Sequence, residues 1–285
     1  MTDRPLGIIA GNGTLPAMVA AEARAAGRAV VCAGLAGQVD EALVRPACDR
    51  FRRVGLIRLG QWARTIRRFG ATEAVMIGGV RKARVYDPLS LVRQVPDWRA
   101  ARLWFNRLRH DRRSQRILAA VADELAMLGV TLIDSTTYLS EHLADDGVMA
   151  GRMTDALEKE IEMALPVLMS MNALEVGQAL ALKGGDVLAV EAVEGTDAMI
   201  ERAGRLCRAG GWTLVKGPGP GKDMRFDVPT VGVATIERLA AAGGKALVLI
   251  AGRVIVADKP AVVAAAEKAG VVVVGVANET TMATQ

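Results

Sequence analysis

The chain is short of cysteine, of aromatic residues and of long apolar runs, and each shortage removes a class of protein. Cys32, Cys48 and Cys207 are the three cysteines in 285 residues, and none has a Cys-x-x-Cys partner. Neither a zinc site nor a disulfide framework is indicated, and a reducing compartment fits. No stretch reaches the ~18 uninterrupted apolar residues that a spanning helix needs. The apolar N-terminus is broken at Gly11-Asn12-Gly13 and reads as strand, turn and helix rather than as a signal peptide, so a cytoplasmic protein is expected. Aromatic residues make up 4% of the chain, too few for an aromatic-rich β-sandwich core.

What is present is a hydrophobic content of 51%, carried mainly by Ala, Val, Leu and Gly. Such side chains suit close helix-on-sheet packing, and the length suggests two domains of an α/β class. The formal net charge of +5 hides an asymmetry. Residues 1–135 carry 22 Lys or Arg against 12 Asp or Glu, whereas residues 136–285 carry 14 against 19. The basic half points to an anionic partner, although arginines on solvated helices explain it as well.

Periodicity in the first half alternates between strand and helix. Residues 6–10, 29–33, 51–57 and 74–77 read as strands, with helices over 15–26 and 60–69, which predicts a parallel, Rossmann-like sheet. Residues 89–128 turn mainly helical, and 130–133 read as one more strand. A first domain over 1–135, a linker over 136–150 and a C-terminal α/β domain over 151–285 follow. In the second half, helices are expected over 155–170 and 197–209, and strands over 178–182, 187–194 and 212–215.

Five segments carry candidate chemistry. Gly11, Asn12, Gly13 and Thr14 lie between the first strand and first helix, where backbone N–H groups and the helix dipole suit a phosphate. Pro16 replaces the third glycine of a dinucleotide fingerprint, and no acid ends the second strand, which disfavours NAD or FAD. Gly78 and Gly79, followed by Arg81 and Lys82, stand at the carboxyl edge of the sheet, where open α/β folds bind ligands. The stretch from Leu91 to Arg116 mixes eight arginines with Trp98, Trp104 and Phe105. Such a face can lie on an anionic bilayer, although aromatics at helical spacing are more often core. No nucleic-acid-binding motif accompanies it. Glu191, Glu194, Thr196 and Asp197 gather at one strand-to-helix junction, which an ordinary capped helix also explains. Lastly, Lys216 and the run Gly217-Pro218-Gly219-Pro220-Gly221 lead into Asp223-Met224-Arg225-Phe226-Asp227. In an extended backbone, Asp223, Arg225 and Asp227 would share one face, suited to Mg²⁺ and pyrophosphate, or simply to an edge-strand ion pair.

Three of these segments together resemble the family of UDP-2,3-diacylglucosamine pyrophosphatases of the LpxI type: residues 6–16, residues 187–199, and Asp223-Met224-Arg225-Phe226-Asp227-Val228-Pro229-Thr230-Val231-Gly232. Lys222 stands where the family commonly has Gln, and Glu175 precedes the Gly177-Gln178 pair with Val176 intervening. The resemblance implies a Mg²⁺-dependent hydrolase of lipid A synthesis in which water attacks the α-phosphorus, releasing UMP and 2,3-diacylglucosamine 1-phosphate. It implies catalytic roles for Asp223, Arg225, Asp227 and Lys216, with metal held by Asp223 and Asp227 aided by Glu191 or Asp197. Substrate contacts fall to Gly11 through Thr14, Gly78, Gly79, Gln178 and Thr196. A lipid-linked sugar nucleotide and the cytoplasmic face of the inner membrane are the expected partners, nucleic acid is not, and a homodimer is allowed. The rival readings are a dinucleotide oxidoreductase, a sugar-nucleotide or phospholipid binding protein without turnover, and a structural or interaction protein.

Overall fold

The computed structural model describes residues 4–80, 95–109 and 114–277. Arg81, Lys82, Leu91, Arg93, Arg112 and Arg113 of the segments above lie outside them. The chain divides into two units. The first comprises Met1–Leu139 together with Asp223–Asp227, the second Ser140–Lys222 with Val228–Gln285.

The first unit is built on five strands, β1 (Leu6–Ala10), β2 (Val30–Leu35), β3 (Arg50–Val54), β4 (Glu73–Ile77) and β5 (Thr131–Leu132), in the order β3-β2-β1-β4-β5. Every pairing is parallel. β1 and β2 are buried throughout, as expected of strands covered on both faces. The α/β expectation with a Rossmann-like sheet therefore holds. The order reverses beside β1, so the carboxyl ends of β1 and β4 flank the position where doubly wound sheets take ligands.

Helix Leu59–Arg68 shows how sequence spacing makes this layer. Leu59, Trp62, Ala63 and Ile66 follow an i, i+3, i+4, i+7 pattern and are buried, leaving Arg64, Arg67 and Arg68 outward. They pack with Ala120, Val121 and Leu125 of helix Ser114–Met127. Phe226 joins this same cluster, 1% exposed, although the rest of the unit ends at Leu139.

The second unit has β6 (Gly147–Ala150), β7 (Ala179–Lys183), β8 (Asp186–Val190), β9 (Trp212–Lys216), β10 (Thr230–Val231), β11 (Gly244–Ile250), β12 (Ile255–Val256) and β13 (Val272–Val276). Six of them form a mixed sheet, β6-β13-β11-β9-β7-β8, and β10 pairs with β12. β9, β11 and β13 are parallel, while β6, β7 and β8 each run antiparallel to the strand inside them. The stretch 136–150, expected as a linker, thus contributes β6 as an edge strand. Its little periodicity reflects a short strand whose residues are partly exposed. Leu168, Leu180, Met199, Trp212 and Leu247 anchor this unit's core.

Phe226→Ala removes a wholly buried aromatic from the first unit's core, and such truncations cost about 3–5 kcal/mol. Urea unfolding of the full chain should show a loss of that order, whereas Asp227→Asn, one residue on and exposed, should unfold near the wild type.

Candidate active site

Four features of the first unit meet at the carboxyl edge of its sheet. The loop after β1 and the loop after β4 are zipped together by an antiparallel bridge, with Asn12 N donating to Gly79 O at 2.8 Å and Gly79 N to Asn12 O at 3.2 Å. Gly11 N donates to Ile77 O at 2.9 Å. A side chain at Gly78 is excluded twice: φ is +92°, and a Cβ would stand 2.6 Å from Asn12 O. The glycines therefore serve close backbone approach, and the N–H groups of Gly11, Asn12 and Gly79 are already engaged. Gly13 and Thr14 are exposed at the start of helix Leu15–Ala25, where Thr14 makes no side-chain cap.

The Asp223–Asp227 segment belongs to the same edge. Ser135, 1% exposed just beyond β5, receives it: Ser135 N donates to Met224 O at 3.0 Å, and its hydroxyl donates to Arg225 O at 2.7 Å while lying 3.0 Å from Met76 O in β4. The extended strand expected here is absent. The segment is a turn, because Arg225 N and its guanidinium both fold back on Asp223. Nε lies 3.0 Å from each carboxylate oxygen, and Nη2 lies 2.6 Å from Oδ2. That pairing, above all, raises the guanidinium's pKa, so Arg225 is a permanent cation. Asp227 follows with φ +55° and is exposed, so it does not share a strand face with Asp223. Aspartate tolerates this left-handed conformation better than most residues.

In the second unit, Gln178, Glu191 and Lys216 fall on one sheet edge, since β7 starts where β8 and β9 end. Glu191 and Lys216 are each 7% exposed. Thr196, opening helix Thr196–Leu206, links them: its hydroxyl donates to Glu191 Oε1 at 2.7 Å and accepts from Lys216 Nζ at 2.9 Å. Lys216 also donates to Thr230 O at 3.1 Å, and Gln178 N to Glu191 Oε2 at 3.2 Å. The close approach needs Gly177, where a Cβ would stand 2.1 Å from Glu191 O. Gln178 Oε1 is buried with no hydrogen-bond partner among the described residues. Asp197, by contrast, points outward and pairs with Arg238, and Glu194 pairs with Arg202. Glu194's carboxyl is held below the usual range, first by a backbone hydrogen bond and next by Arg202.

The Gly-Pro run is pinned on both sides. Asn172 Nδ2 donates to Gly217 O at 3.1 Å, Gly217 N donates to Gln178 O at 2.9 Å, and Arg253 donates to Pro220 O and Lys222 O, each at 3.0 Å. Ser135, Asn172 and Arg253 carried no motif in the sequence. A lone serine after a short strand was the sole trace of the first.

Among the described residues no three His, Cys, Asp or Glu side chains gather as a metal cage. Asp223 faces Arg225, Asp197 faces Arg238, and Glu191 is engaged by Thr196 and the Gln178 N–H. The donors present fit a cation held by one or two carboxylates and completed by substrate phosphates and water, as Mg²⁺ commonly is. Asp223 and Asp227 are the carboxylates of the 223–227 turn, the first engaged by Arg225.

Fold and site together define a two-unit α/β protein whose polar residues collect at sheet edges suited to phosphate-bearing ligands. Residues 5–142 match the model of the LpxI N-terminal domain and residues 145–274 that of the LpxI C-terminal domain. The chain belongs to the LpxI family. It is 35% identical to a Caulobacter vibrioides protein named UDP-2,3-diacylglucosamine pyrophosphatase LpxI, over 96% of this chain and 98% of that one.

Thr196→Val keeps the shape of the side chain but leaves Glu191 and Lys216 without their shared hydroxyl. Stranding buried polar groups costs about 1–3 kcal/mol, so denaturant unfolding should show a loss in that range, with Thr196→Ser restoring most of it.

Proposed function

We propose that the chain hydrolyses the pyrophosphate of UDP-2,3-diacylglucosamine by attack of water on the α-phosphorus, giving UMP and 2,3-diacylglucosamine 1-phosphate in lipid A synthesis. The observation that carries this reading is the Asp223-Arg225-Asp227 turn, fixed by Ser135 and Phe226 at the ligand-binding edge of a parallel sheet. The full-length similarity to a protein of that name supplies the substrate.

The residues divide the work by their chemistry. Gly13 and Thr14, exposed at a helix start, receive the nucleotide's phosphate end beside the zipped loops of Gly11, Asn12, Gly78 and Gly79. Arg225, held cationic and oriented by Asp223, neutralises phosphoryl oxygens as charge builds. In the second unit, Lys216 is the cation for an anionic ligand group, its ammonium oriented by Thr196 and the Thr230 carbonyl, with Glu191 balancing its charge through Thr196. The orphan acceptor of Gln178 takes a hydroxyl or amide N–H of the substrate. Asp227, exposed and carboxylate-bearing, aligns the attacking water. Mg²⁺, held by Asp227 and Asp223, would supply further charge neutralisation at the phosphates. Positioning and electrostatics carry most of the rate in phosphoryl transfer, and this set provides both. No described helix is long and apolar enough to cross a membrane. The proposal places the chain at the inner membrane's cytoplasmic face as a peripheral protein, where a lipid-linked substrate resides.

UMP release from detergent-dispersed substrate should require a divalent cation and stop on adding EDTA. Asp227→Asn keeps the backbone conformation while removing the charge, so turnover should fall by about 10²-fold or more with folding intact. Undiminished turnover by this variant would take Asp227 out of the chemistry. Substrate binding without UMP release, with Mg²⁺ supplied, would make the chain a binding protein instead.

A further inference from the structure

The first unit has an open groove of about 750 Å³ that none of the candidate site residues lines. Its walls are Arg52 of β3, Arg58 ahead of helix Leu59–Arg68, Arg64 and Arg68 on that helix, and Val95, Pro96 and Asp97. All four arginines are exposed, and no carboxylate among the described residues pairs with them. The one acid present does not answer their charge. Asp97 Oδ2 accepts from Gly60 N at 2.7 Å, and its Oδ1 from Ala100 N at 3.0 Å, so its carboxylate caps two helix starts. Elsewhere in the unit Arg24, Arg28, Arg53, Arg99, Arg107 and Arg225 each have an acid partner. Four exposed arginines without an acid partner among the described residues thus share one concavity.

Directly after Asp97 the chain turns its aromatics outward. In helix Trp98–Leu103 and the π turn Trp104–Leu108, Leu103 and Leu108 are buried while Trp98, Phe105 and Trp104 are 79%, 64% and 46% exposed. Val95, on the groove wall, is 60% exposed. Arg109 stacks on Phe105 at 4.8 Å. The ordinary expectation that such aromatics are core fails here. Cations beside outward Trp and Phe are the chemistry of the bilayer interface, where arginine meets anionic headgroups and aromatic rings sit at headgroup depth.

We propose that this arginine groove, with the outward aromatics that follow it, is the surface by which the protein docks on an anionic phospholipid bilayer. The choice of a bilayer over another polyanion rests on the lipid-linked substrate proposed above. Charge complementarity selects phosphatidylglycerol-type headgroups over neutral ones, and the aromatics add a contribution that salt does not screen.

The test is co-sedimentation of the full-length protein with vesicles of phosphatidylcholine, with and without phosphatidylglycerol. Binding should appear with the anionic lipid and weaken with salt. Each basic residue near a charged surface contributes about fivefold in affinity, so Arg64→Glu with Arg68→Glu should lower binding by more than about 20-fold. Both residues are exposed, so the melting temperature should hold. Trp98→Ala with Phe105→Ala should weaken binding and leave its salt dependence in place. Equal binding to neutral vesicles, or unchanged binding by the arginine variant, overturns the proposal. So does an arginine-dependent dimer, or retention on single-stranded DNA, without vesicle binding. UMP release from detergent-dispersed substrate should survive in the arginine variant. Its absence in the wild type, with vesicle binding intact, would sink the hydrolase reading and leave this one standing.

Discussion

The burial of Phe226 is the constraint on which the proposed chemistry rests. A single aromatic inserted in the first unit's core carries with it a five-residue turn, Asp223–Asp227, flanked on both sides by chain that belongs to the second unit. Ser135 completes the anchor by tying the carbonyl of Arg225 and the end of β4 to one hydroxyl. Without that anchor, three charged side chains would lie on a glycine- and proline-flanked loop. With it, they stand at the carboxyl edge of a parallel sheet.

The same economy governs the second unit's polar cluster. Burying a carboxylate and an ammonium is costly unless each is paired and hydrogen-bonded. Glu191 and Lys216 meet that condition through one threonine hydroxyl, the Gln178 N–H and the Thr230 carbonyl. Gly177 lets the backbone come close enough for this arrangement, and the pinned Gly-Pro run follows directly from Lys216. A cation held in this way loses little entropy when it meets a phosphate, which is the form of preorganisation that phosphoryl chemistry uses.

Much of the fold was legible in local pattern. The alternation of apolar runs with i, i+3, i+4 spacing marked β1 through β4 and helix Leu59–Arg68 to within a few residues, because that spacing reflects burial on a face and needs no partner to be seen. The strand read across Asp223–Asp227 was absent for the complementary reason. Alternating charges look like a pleated face, yet an arginine two residues from an aspartate can also fold back on it, and Ser135 and Phe226 favoured the turn. The linker over 136–150 contained an edge strand whose partner, β13, lies more than a hundred residues away.

By itself the sequence determined the α/β class, the order of the first unit's elements, the excess of arginine in the first half and the motifs that carry the family resemblance. These are properties of composition and near-neighbour spacing. Tertiary structure alone decided that Asp223 answers Arg225 while Asp197 answers Arg238, that Thr196 joins Glu191 to Lys216, and that Trp98 and Phe105 face solvent beside unanswered arginines. A side chain's partner is set by what packing brings within about 3 Å of it, and residues tens of positions apart acquire that distance only when the chain has folded.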